Sequence, residues 1–409
     1  MAEFQFGLLI PEFLVAGLAI AVFSADLFLP ESHKGKTGAL SIIGLVIIAI
    51  FTFWHLDGVD EVLFGGLVKF DVYSLFFKEF FLFTGIMIII VSLQFVERYL
   101  SQPGEYYAII LTSVLAMMFM AGSGELLTAY ISLELLSFCL YVLAGYSRAE
   151  PKSQEAGVKY ILLGAFSSAL LLYGISLLYG SLGTTSFSEM AQFIEANQTG
   201  LDGRLLLGLI FLVGGLAFKL SAIPFHMWAP DVYQGSPIPV VAFLSTASKA
   251  AGFAVFLRLF QAAFAQSNLD WWLLIAIVSI ASMTLGNIGA IAQQNIKRLL
   301  GYSTIAQAGY ILVGVTVLAS PAGELGVQGV LFYLAGYAFT NLTVFMCVMT
   351  ICNNINSENI DDFAGISSNS PWLSSTLALS LISLIGLPPS VGVSIDVSID
   401  VSIGVSKVL

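Results

Sequence analysis

Residues 218–250 carry the strongest indication of the fold of this chain, and their sequence is FKLSAIPFHMWAPDVYQGSPIPVVAFLSTASKA. The two lysines of this stretch, Lys219 and Lys249, lie in two apolar runs, 204–229 and 238–263, each long enough for one membrane helix at ~20 residues per span. Pro224 follows Lys219 closely, and proline removes a backbone donor and clashes with the preceding helical turn. Freed carbonyls at membrane depth are tolerated only where protein or a water-filled cavity satisfies them. The stretch therefore predicts a broken helix beside a buried charge, and His226 beyond the break predicts a hydrated ion path.

The rest of the chain has the same apolar character. Only 10% of the 409 residues are charged, whereas soluble domains average about 25% charged residues. Hydrophobic residues make up 58% of the chain, against about 45–50% in soluble domains. This number of charges is too small to cover the surface of a soluble protein. The composition therefore predicts a polytopic all-α membrane protein and excludes a soluble enzyme. The net charge of −11 is scattered among short loops, and no Lys/Arg-rich stripe exists to bind nucleic acid.

Apolar runs divide the sequence into eleven predicted spans, and a twelfth begins near residue 372 and reaches Pro388 and Pro389. All loops are short, so residues 1–389 are predicted to form a single membrane domain. The eleven runs cover 6–29, 38–56, 73–96, 106–122, 125–145, 156–180, 204–229, 238–263, 271–291, 300–319 and 327–352.

The distribution of basic residues predicts the orientation, because cytoplasmic loops carry an excess of Lys and Arg. Residues 1–6 lack the basic start and cleavage site of a signal peptide, so the first span is expected to be retained. With the N-terminus outside, the outer loops hold only Lys69 and Arg204. The inner loops then hold seven basic residues: Lys34, Lys36, Arg98, Arg148, Lys152, Lys297 and Arg298.

Charges inside the spans are the candidate functional residues, since each costs at least ~2.5–3.5 kcal/mol at mid-helix. Glu134 shares a helix face with Tyr130, Ser137 and Tyr141 in AYISLELLSFCLYV. A static pair between Glu134 and one lysine would explain that acid but would leave the other lysine without a partner. A buried lysine without a counter-charge releases its proton more readily. A proton relay through Glu134, Lys219 and Lys249 is therefore favoured over the static pair.

Other charged positions are more ambiguous. Lys78 and Glu79 lie near the outer end of the third span, where an interfacial anchor is the favoured interpretation. Lys159 lies near the inner end of its span, and a structural and a functional role are equally compatible with it. Ser245, one turn before Lys249, is expected to hydrogen-bond that lysine.

Cysteine and histidine limit the redox chemistry of this chain. Cys139, Cys347 and Cys352 lie in apolar runs without a CxxC motif, which favours buried core thiols. The three histidines give no indication of a haem-ligand pair, and no metal site is predicted. Any redox cofactors are expected on another subunit.

The twelfth run, LALSLISLIGLPPSVG, repeats the proline interruption of the seventh. Paired interrupted spans are typical of transporters built from repeats. Because the two spans are five apart, the halves should have opposite topology. We predict inverted five-helix repeats over 105–263 and 271–389, the second one incomplete.

Residues 218–250, with ISLELLSFCLYVLAGY (131–146) and NIKRLLGYSTIAQAGY (295–310), closely resemble the antiporter-like membrane subunits of respiratory complex I. The resemblance is greatest to the subunit called N in bacteria, and it runs from about residue 10 to residue 389. It implies a 14-helix subunit of NADH-quinone oxidoreductase, of which 11–12 spans are present here. It also implies proton pumping driven by quinone reduction, with NADH and quinone used elsewhere in the complex and no cofactor on this chain.

The resemblance also implies roles for individual residues. Glu134, Lys219 and Lys249 match the family's proton-translocating positions, while Lys159 and His226 match positions of secondary weight. Gln307 stands where many members carry histidine. The implied location is the bacterial plasma membrane, among the other membrane and hydrophilic subunits and the lipid bilayer.

The C-terminal stretch departs from the family. After Pro388 and Pro389 the family continues with a pattern like TAGFxGK, but residues 390–409 carry a VSID repeat and place Asp396 where the family has lysine. This tail is interpreted as an anomaly, and with it the second half-channel would be incomplete. Two other functions stay open at this point: a subunit of a cation/proton antiporter and a scaffold that no longer pumps.

Overall fold

A computed structural model describes residues 6–30, 33–100, 102–196, 203–265 and 270–386. The predicted all-α polytopic fold is confirmed, because eleven helical segments in these ranges are long and apolar enough to cross a membrane. Pro388, Pro389, Asp396 and the tail 390–409 lie outside the described residues. The helices are α1 (Ile10–Phe28), α2 (Lys36–Leu56), α3 (Val72–Tyr99), α4 (Pro103–Gly122), α5 (Leu126–Ala144), α6 (Pro151–Leu182), α7 (Phe187–Ala196), α8 (Gly203–Leu220), α9 (Trp228–Gly235), α10 (Ile238–Ser245), α11 (Ala247–Leu259), α12 (Trp271–Ile291), α13 (Ile296–Thr316), α14 (Gly323–Ile355), α15 (Ile366–Asn369) and α16 (Pro371–Ile385).

The seventh span, predicted over 204–229 with a break at Pro224, ends its first helix four residues before that proline. α8 ends at Leu220 and not near residue 229, and Ser221 has a left-handed φ of 57°. The reason is a set of tertiary bonds that replace the helical ones. Ile223 N donates to Ser282 Oγ of α12 at 3.0 Å, and Trp228 Nε1 donates to the Phe218 carbonyl at 3.0 Å. Protein groups thus satisfy part of the backbone freed by the break.

The eighth span is also interrupted, which the sequence did not indicate. α10 stops at Ser245 and α11 starts at Ala247, because Thr246 has φ −108° and ψ −82°. A π-helical turn at Phe260–Phe264 follows α11. The most apolar part of Ile238–Phe264 is entirely buried in protein. Lys249 therefore lies in the central element of the bundle, away from lipid.

A short antiparallel hairpin, β1 (Glu61–Leu63) and β2 (Val68–Phe70), leads into α3. Asp71 caps α3 by accepting from Ser74 N at 2.8 Å, and it also binds Arg258 of α11 through two bonds of 2.8 and 2.9 Å. Burial raises the pKa of Asp71, but the bonds to Arg258 and Ser74 outweigh burial and hold that pKa at about 2. The carboxylate thus fixes the start of α3 against the end of α11.

Lys78 is not the interfacial anchor that its position suggested. Its side chain is 0% exposed, its Nζ lies 2.7 Å from Glu12 Oε1 of α1, and Glu12 is 2% exposed. Phe70 of the hairpin covers the lysine, with Nζ 3.9 Å from the ring centroid. Because the hairpin closes over the start of α3, Lys78 cannot extend to the interface, and an ion pair forms instead.

The inverted repeats over 105–263 and 271–389 stay a prediction. The helix neighbours correspond in both halves: α4 packs on α5 as α12 packs on α13, and α6 packs on α8 as α14 packs on α16. α16 ends at Ile385 with a left-handed Gly386, just before the predicted second break.

Candidate functional site

Glu134 is half-buried on α5, facing α6. Its carboxylate lies close to Ser168 of α6, whose Oγ is 3.0 Å from the hydroxyl of Tyr130 on α5. Two polar residues one helical turn apart on α5 therefore face the same serine.

Lys219, the predicted partner of Glu134, binds the serine that lies one helical turn after that acid. Lys219 is 3% exposed, and its Nζ donates to Ser137 Oγ at 3.2 Å. Ser137 lies one turn after Glu134 and donates onward to the Leu133 carbonyl at 2.7 Å. The described residues contain no ion pair within 4.0 Å between Glu134 and Lys219. Among the described residues, the hydrogen-bond partner of Lys219 is thus the Ser137 hydroxyl and not the Glu134 carboxylate.

Lys249 has a backbone partner and no acidic one. It is 1% exposed, and its Nζ donates to the Thr304 carbonyl of α13 at 2.5 Å. No described carboxylate oxygen lies within 4.0 Å of this nitrogen. The expected bond from Ser245 was wrong, because Ser245 Oγ donates to the Ala242 carbonyl and accepts from Asn341 Nδ2 at 2.7 Å.

Gly252 brings the two lysine-bearing helices together. A Cβ at this position would lie 2.8 Å from Leu220 Cδ2 and 3.4 Å from Lys219 Cγ. The aliphatic stem of Lys219 therefore packs on the backbone of α11, one turn from Lys249. A larger residue at position 252 would push the two lysines apart.

Polar side chains continue past Lys249 toward α16. Thr304 Oγ1 lies 3.3 Å from the Tyr337 hydroxyl, to which Asn341 Nδ2 donates at 3.2 Å. One turn after Thr304, Gln307 accepts a bond from the Tyr333 hydroxyl and donates to the Leu384 carbonyl at 2.8 Å. We call the whole set the buried polar row; its members are Glu134, Ser137, Lys219, Lys249, Thr304, Tyr337 and Gln307.

The structure does not bring Lys159 to this row. Its Nζ lies 2.7 Å from Glu155 and 2.9 Å from Asp231, which also binds Arg298 at 2.5 Å. Burial raises the pKa of Asp231, but the bonds to Lys159 and Arg298 outweigh burial and leave that pKa below its ordinary value. This cluster is partly exposed and joins α6, α9 and α13.

His226 and Pro224 lie in the break between α8 and α9. Pro224 is exposed, whereas His226 is half-buried with a buried Nδ1 that has no hydrogen-bond partner among the described residues. Burial lowers the pKa of this imidazole. His226 is thus near the row in sequence, but within the described residues it forms no hydrogen bond to any member of the row.

Sequence reasoning missed Thr304, Tyr337, Asn341 and Asp231. Tyr333, Tyr337 and Asn341 recur every four residues on α14, so they form a polar ridge within an apolar span. This four-residue spacing in the sequence could have predicted that the three polar side chains share one face of α14. Asp231 stands in the WAPDVYQG segment beyond the break and gave no comparable signal.

Comparison with known proteins agrees with this geometry. The pattern of the NADH:quinone oxidoreductase/Mrp antiporter membrane family matches residues 123–403. The chain belongs to this family. It is 40% identical to NADH-quinone oxidoreductase subunit N 2 of Chloroherpeton thalassium, over 94% of this chain and 76% of that protein. It is 42% identical to the subunit N of Moorella thermoacetica, over 94% of this chain and 79% of that protein.

Solved structures show the same fold. This family member superimposes on a chain of the respiratory complex I of Thermus thermophilus with bound aureothin at a TM-score of 0.78 and 29% identity. That match covers 96% of this chain and 82% of the other. A chain of the Mrp complex from Dietzia matches at a TM-score of 0.80 but only 21% identity, which shows the fold alone.

Proposed function

We propose that this chain is the N-type proton-translocating membrane subunit of an NADH-quinone oxidoreductase. The observation that carries the proposal is the buried polar row, in which two lysines at bundle depth have no carboxylate of the described residues within 4.0 Å. Buried ionisable groups in membrane helices are costly and mark ion pathways. The identity of about 40% to proteins named subunit N supports this assignment.

The proton steps follow from the bonds in the row. An ionised Glu134 attracts the Lys219 ammonium, which donates a hydrogen bond to Ser137, one helical turn after Glu134. When Glu134 takes up a proton, the attraction is lost and Lys219 releases its proton toward a neutral Lys249 across Gly252. Lys249 then becomes an ammonium that donates to the Thr304 carbonyl. Each transfer neutralises one group as it charges the next.

The rest of the complex supplies the driving reaction in this proposal. Quinone reduction with electrons from NADH occurs in other subunits, and this chain binds no cofactor of its own. The predicted orientation, with residue 6 at the outer side of a bacterial plasma membrane, places the Lys159–Asp231–Arg298 cluster at the inner side. The family's other membrane and hydrophilic subunits and the lipid bilayer are its partners.

A cation/proton antiporter subunit is the alternative function, since the Mrp complex shares the fold. The two functions differ in what purifies with the chain. An oxidoreductase subunit should copurify with hydrophilic subunits that oxidise NADH, whereas an antiporter subunit should exchange Na⁺ or K⁺ for protons in vesicles without an electron donor.

Replacing Glu134 with alanine tests the proposal. We expect proton pumping by the assembled complex to fall by about 10²-fold, the lower end of what a positioned proton-transfer group contributes. Glu134→Asp should retain part of the activity because a carboxylate remains. Pumping is measured with a pH-sensitive dye in inverted membrane vesicles supplied with NADH and quinone.

The matched control is Glu195→Ala, which removes an exposed acid at the end of α7. It should leave pumping unchanged. Full pumping in Glu134→Ala, with normal assembly, would show that the buried polar row does not carry the protons.

A further inference from the structure

A cavity of about 560 Å³ lies at the end of the bundle that carries the β1–β2 hairpin, apart from the buried polar row. It is lined by the start of α3, the end of α11 with its π-helical turn, and the start of α14. Its polar lining consists of Lys69, Asp71, Arg258 and Gln261. The proton steps above use none of these residues, so the cavity is a separate candidate for ligand binding.

The charged groups that line the cavity leave one positive charge uncompensated. Arg258 donates to Asp71 at 2.8 and 2.9 Å, and Lys69 Nζ lies 3.4 Å from the same carboxylate. One acid thus serves two cations. Because the Lys69 side chain is 43% exposed, its ammonium is free to turn toward a ligand. The mouth of the cavity therefore attracts an anion.

Arg258 has a donor left for such an anion. Its side chain is 7% exposed, Asp71 binds Nη1 and Nη2, and the Tyr73 ring covers the guanidinium with Cζ 4.6 Å from the ring centroid. Within the described residues, the buried Nε has no hydrogen-bond partner. Gln261, exposed in the π-helical turn, adds an amide donor. The planar guanidinium matches phosphate oxygens, so a phosphate group is the favoured anion.

Deeper in the membrane the cavity is apolar and continues between α3 and α14. Its apolar lining includes Val72, Phe76, Val327 and Leu331. Since both helices begin at the cavity, they enter the membrane in the same direction. They come together again at Phe83 and Phe339, whose ring centroids lie 5.3 Å apart. The cavity is thus the wide end of a groove that these two rings close.

The length of this groove matches one acyl chain in one leaflet. Phe83 follows Val72 by eleven residues, which is a rise of roughly 16 Å along α3. Half of a typical hydrocarbon core is about 15 Å thick. On α14 the small side chain of Ala335 lies between Leu331 and Phe339 at four-residue spacing, which leaves room for a chain. Val72 and Phe339 are both exposed, so the groove is open to lipid from the side.

We propose that this cavity binds one anionic phospholipid of the leaflet on the hairpin side. The phosphate lies between Lys69 and Arg258 and accepts hydrogen bonds from both and from Gln261. One acyl chain follows the groove to Phe83 and Phe339. The bound lipid holds the end of α11, the helix that carries the relay lysine, against α3 and α14. The inference does not rest on proton pumping.

Other occupants fit only part of the site. A free phosphate leaves the apolar groove empty. A neutral quinone leaves the uncompensated cation and the Arg258 Nε without a partner. A transmembrane helix of another subunit needs a groove across the whole membrane, whereas the contact between Phe83 and Phe339 closes this one at about half its depth.

The test uses the assembled complex in phosphatidylcholine vesicles that contain a photoreactive phosphatidylglycerol with a diazirine at the end of its acyl chain. Illumination should attach this probe to α3 and α14 near Phe83 and Phe339, where mass spectrometry of the peptides locates it. Lys69→Glu should reduce this labelling by about tenfold or more. The variant removes one cation and adds one anion, and each basic residue near anionic lipid contributes about fivefold.

Two controls separate the site from general lipid contact. A phosphatidylcholine probe with the same diazirine should label wild type and Lys69→Glu equally weakly, because its headgroup carries no net charge. Lys36→Glu makes the same charge change at an exposed lysine at the start of α2, away from the cavity. It should be labelled by the phosphatidylglycerol probe as strongly as wild type.

Several results would overturn the proposal. Equal labelling of wild type and Lys69→Glu by phosphatidylglycerol would show that the cavity does not select the headgroup. Loss of the label in excess inorganic phosphate would identify a phosphate site without a lipid, and a wild-type complex that neither probe labels would show that protein covers the groove.

A second variant decides the question if Lys69→Glu does not assemble. Gln261→Glu adds an anion at an exposed position of the cavity and should reduce labelling about fivefold. Its matched control, Gln192→Glu on the exposed side of α7, should reduce nothing. Unchanged labelling in Gln261→Glu would refute the lipid site.

Discussion

Replacing Lys249 with arginine is expected to abolish proton pumping while the complex still assembles. The Lys249 ammonium donates to the Thr304 carbonyl at 2.5 Å, and no described carboxylate lies within 4.0 Å to neutralise it. Arginine keeps the positive charge and the ability to donate a hydrogen bond, but it does not deprotonate in proteins. A relay needs the neutral amine, whereas a structural cation does not.

The measurement compares proton pumping with quinone reductase activity in vesicles that carry Lys249→Arg. Pumping should be lost and coupled quinone reduction should slow with it. Lys36→Arg, an exposed position at the start of α2, is the matched control and should behave as wild type. Normal pumping with arginine at position 249 would make Lys249 a structural cation and refute the relay.

Much of the fold could be predicted from the sequence because membrane helices have a strong local signal. The eleven apolar runs correspond to eleven observed segments, since a span must satisfy its backbone bonds internally. The break after Lys219 was also predictable, because Pro224 cannot continue a helix. Its start at Ser221 was not, because the bond from Ile223 N to Ser282 of α12 is a tertiary contact.

In the candidate site, too, the features within one helix were predictable from the sequence and the contacts between helices were not. The polar face of α5 predicted that Glu134 and Ser137 point into the bundle, and both do. The partner of Lys249 could not be predicted, because Thr304 lies on α13 and its acceptor is a backbone carbonyl that no side-chain pattern reveals. Ser245 was assigned to Lys249 from its spacing in one helix. The interruption at Thr246 invalidates that spacing, and Asn341 binds Ser245 instead.

Gln307 illustrates what a resemblance can add. Many family members carry histidine at this position, so a titratable group was expected to be missing from the path. The structure places the Gln307 amide between the Tyr333 hydroxyl and the Leu384 carbonyl at 2.8 Å. An amide donates and accepts but does not titrate. Proton movement past this residue therefore depends on the neighbouring hydroxyl groups and on water.

Removing Lys78 alone is expected to destabilise the protein strongly, although this residue lies outside the buried polar row. Lys78 and Glu12 form an ion pair of 2.7 Å that is 0% and 2% exposed, and the pair joins α3 to α1. Removing one partner of a buried pair leaves an uncompensated charge and costs about 3–5 kcal/mol. Lys78→Met should therefore lower the thermal unfolding temperature of the purified protein and reduce its assembly.

The double variant Glu12→Leu/Lys78→Met separates the cost of the orphaned charge from the value of the pair. Replacing both partners with apolar residues of similar volume is often neutral or stabilising, because the desolvation penalty disappears with the charges. The double variant should thus recover most of the stability that Lys78→Met loses, whereas Lys36→Met, at an exposed lysine, should lose none.

The measurement compares the unfolding temperatures of all three variants in the same detergent. If Lys78→Met is as stable as wild type, the ion pair does not hold α1 against α3; if the double variant is no more stable than Lys78→Met, packing and not charge dominates at this contact.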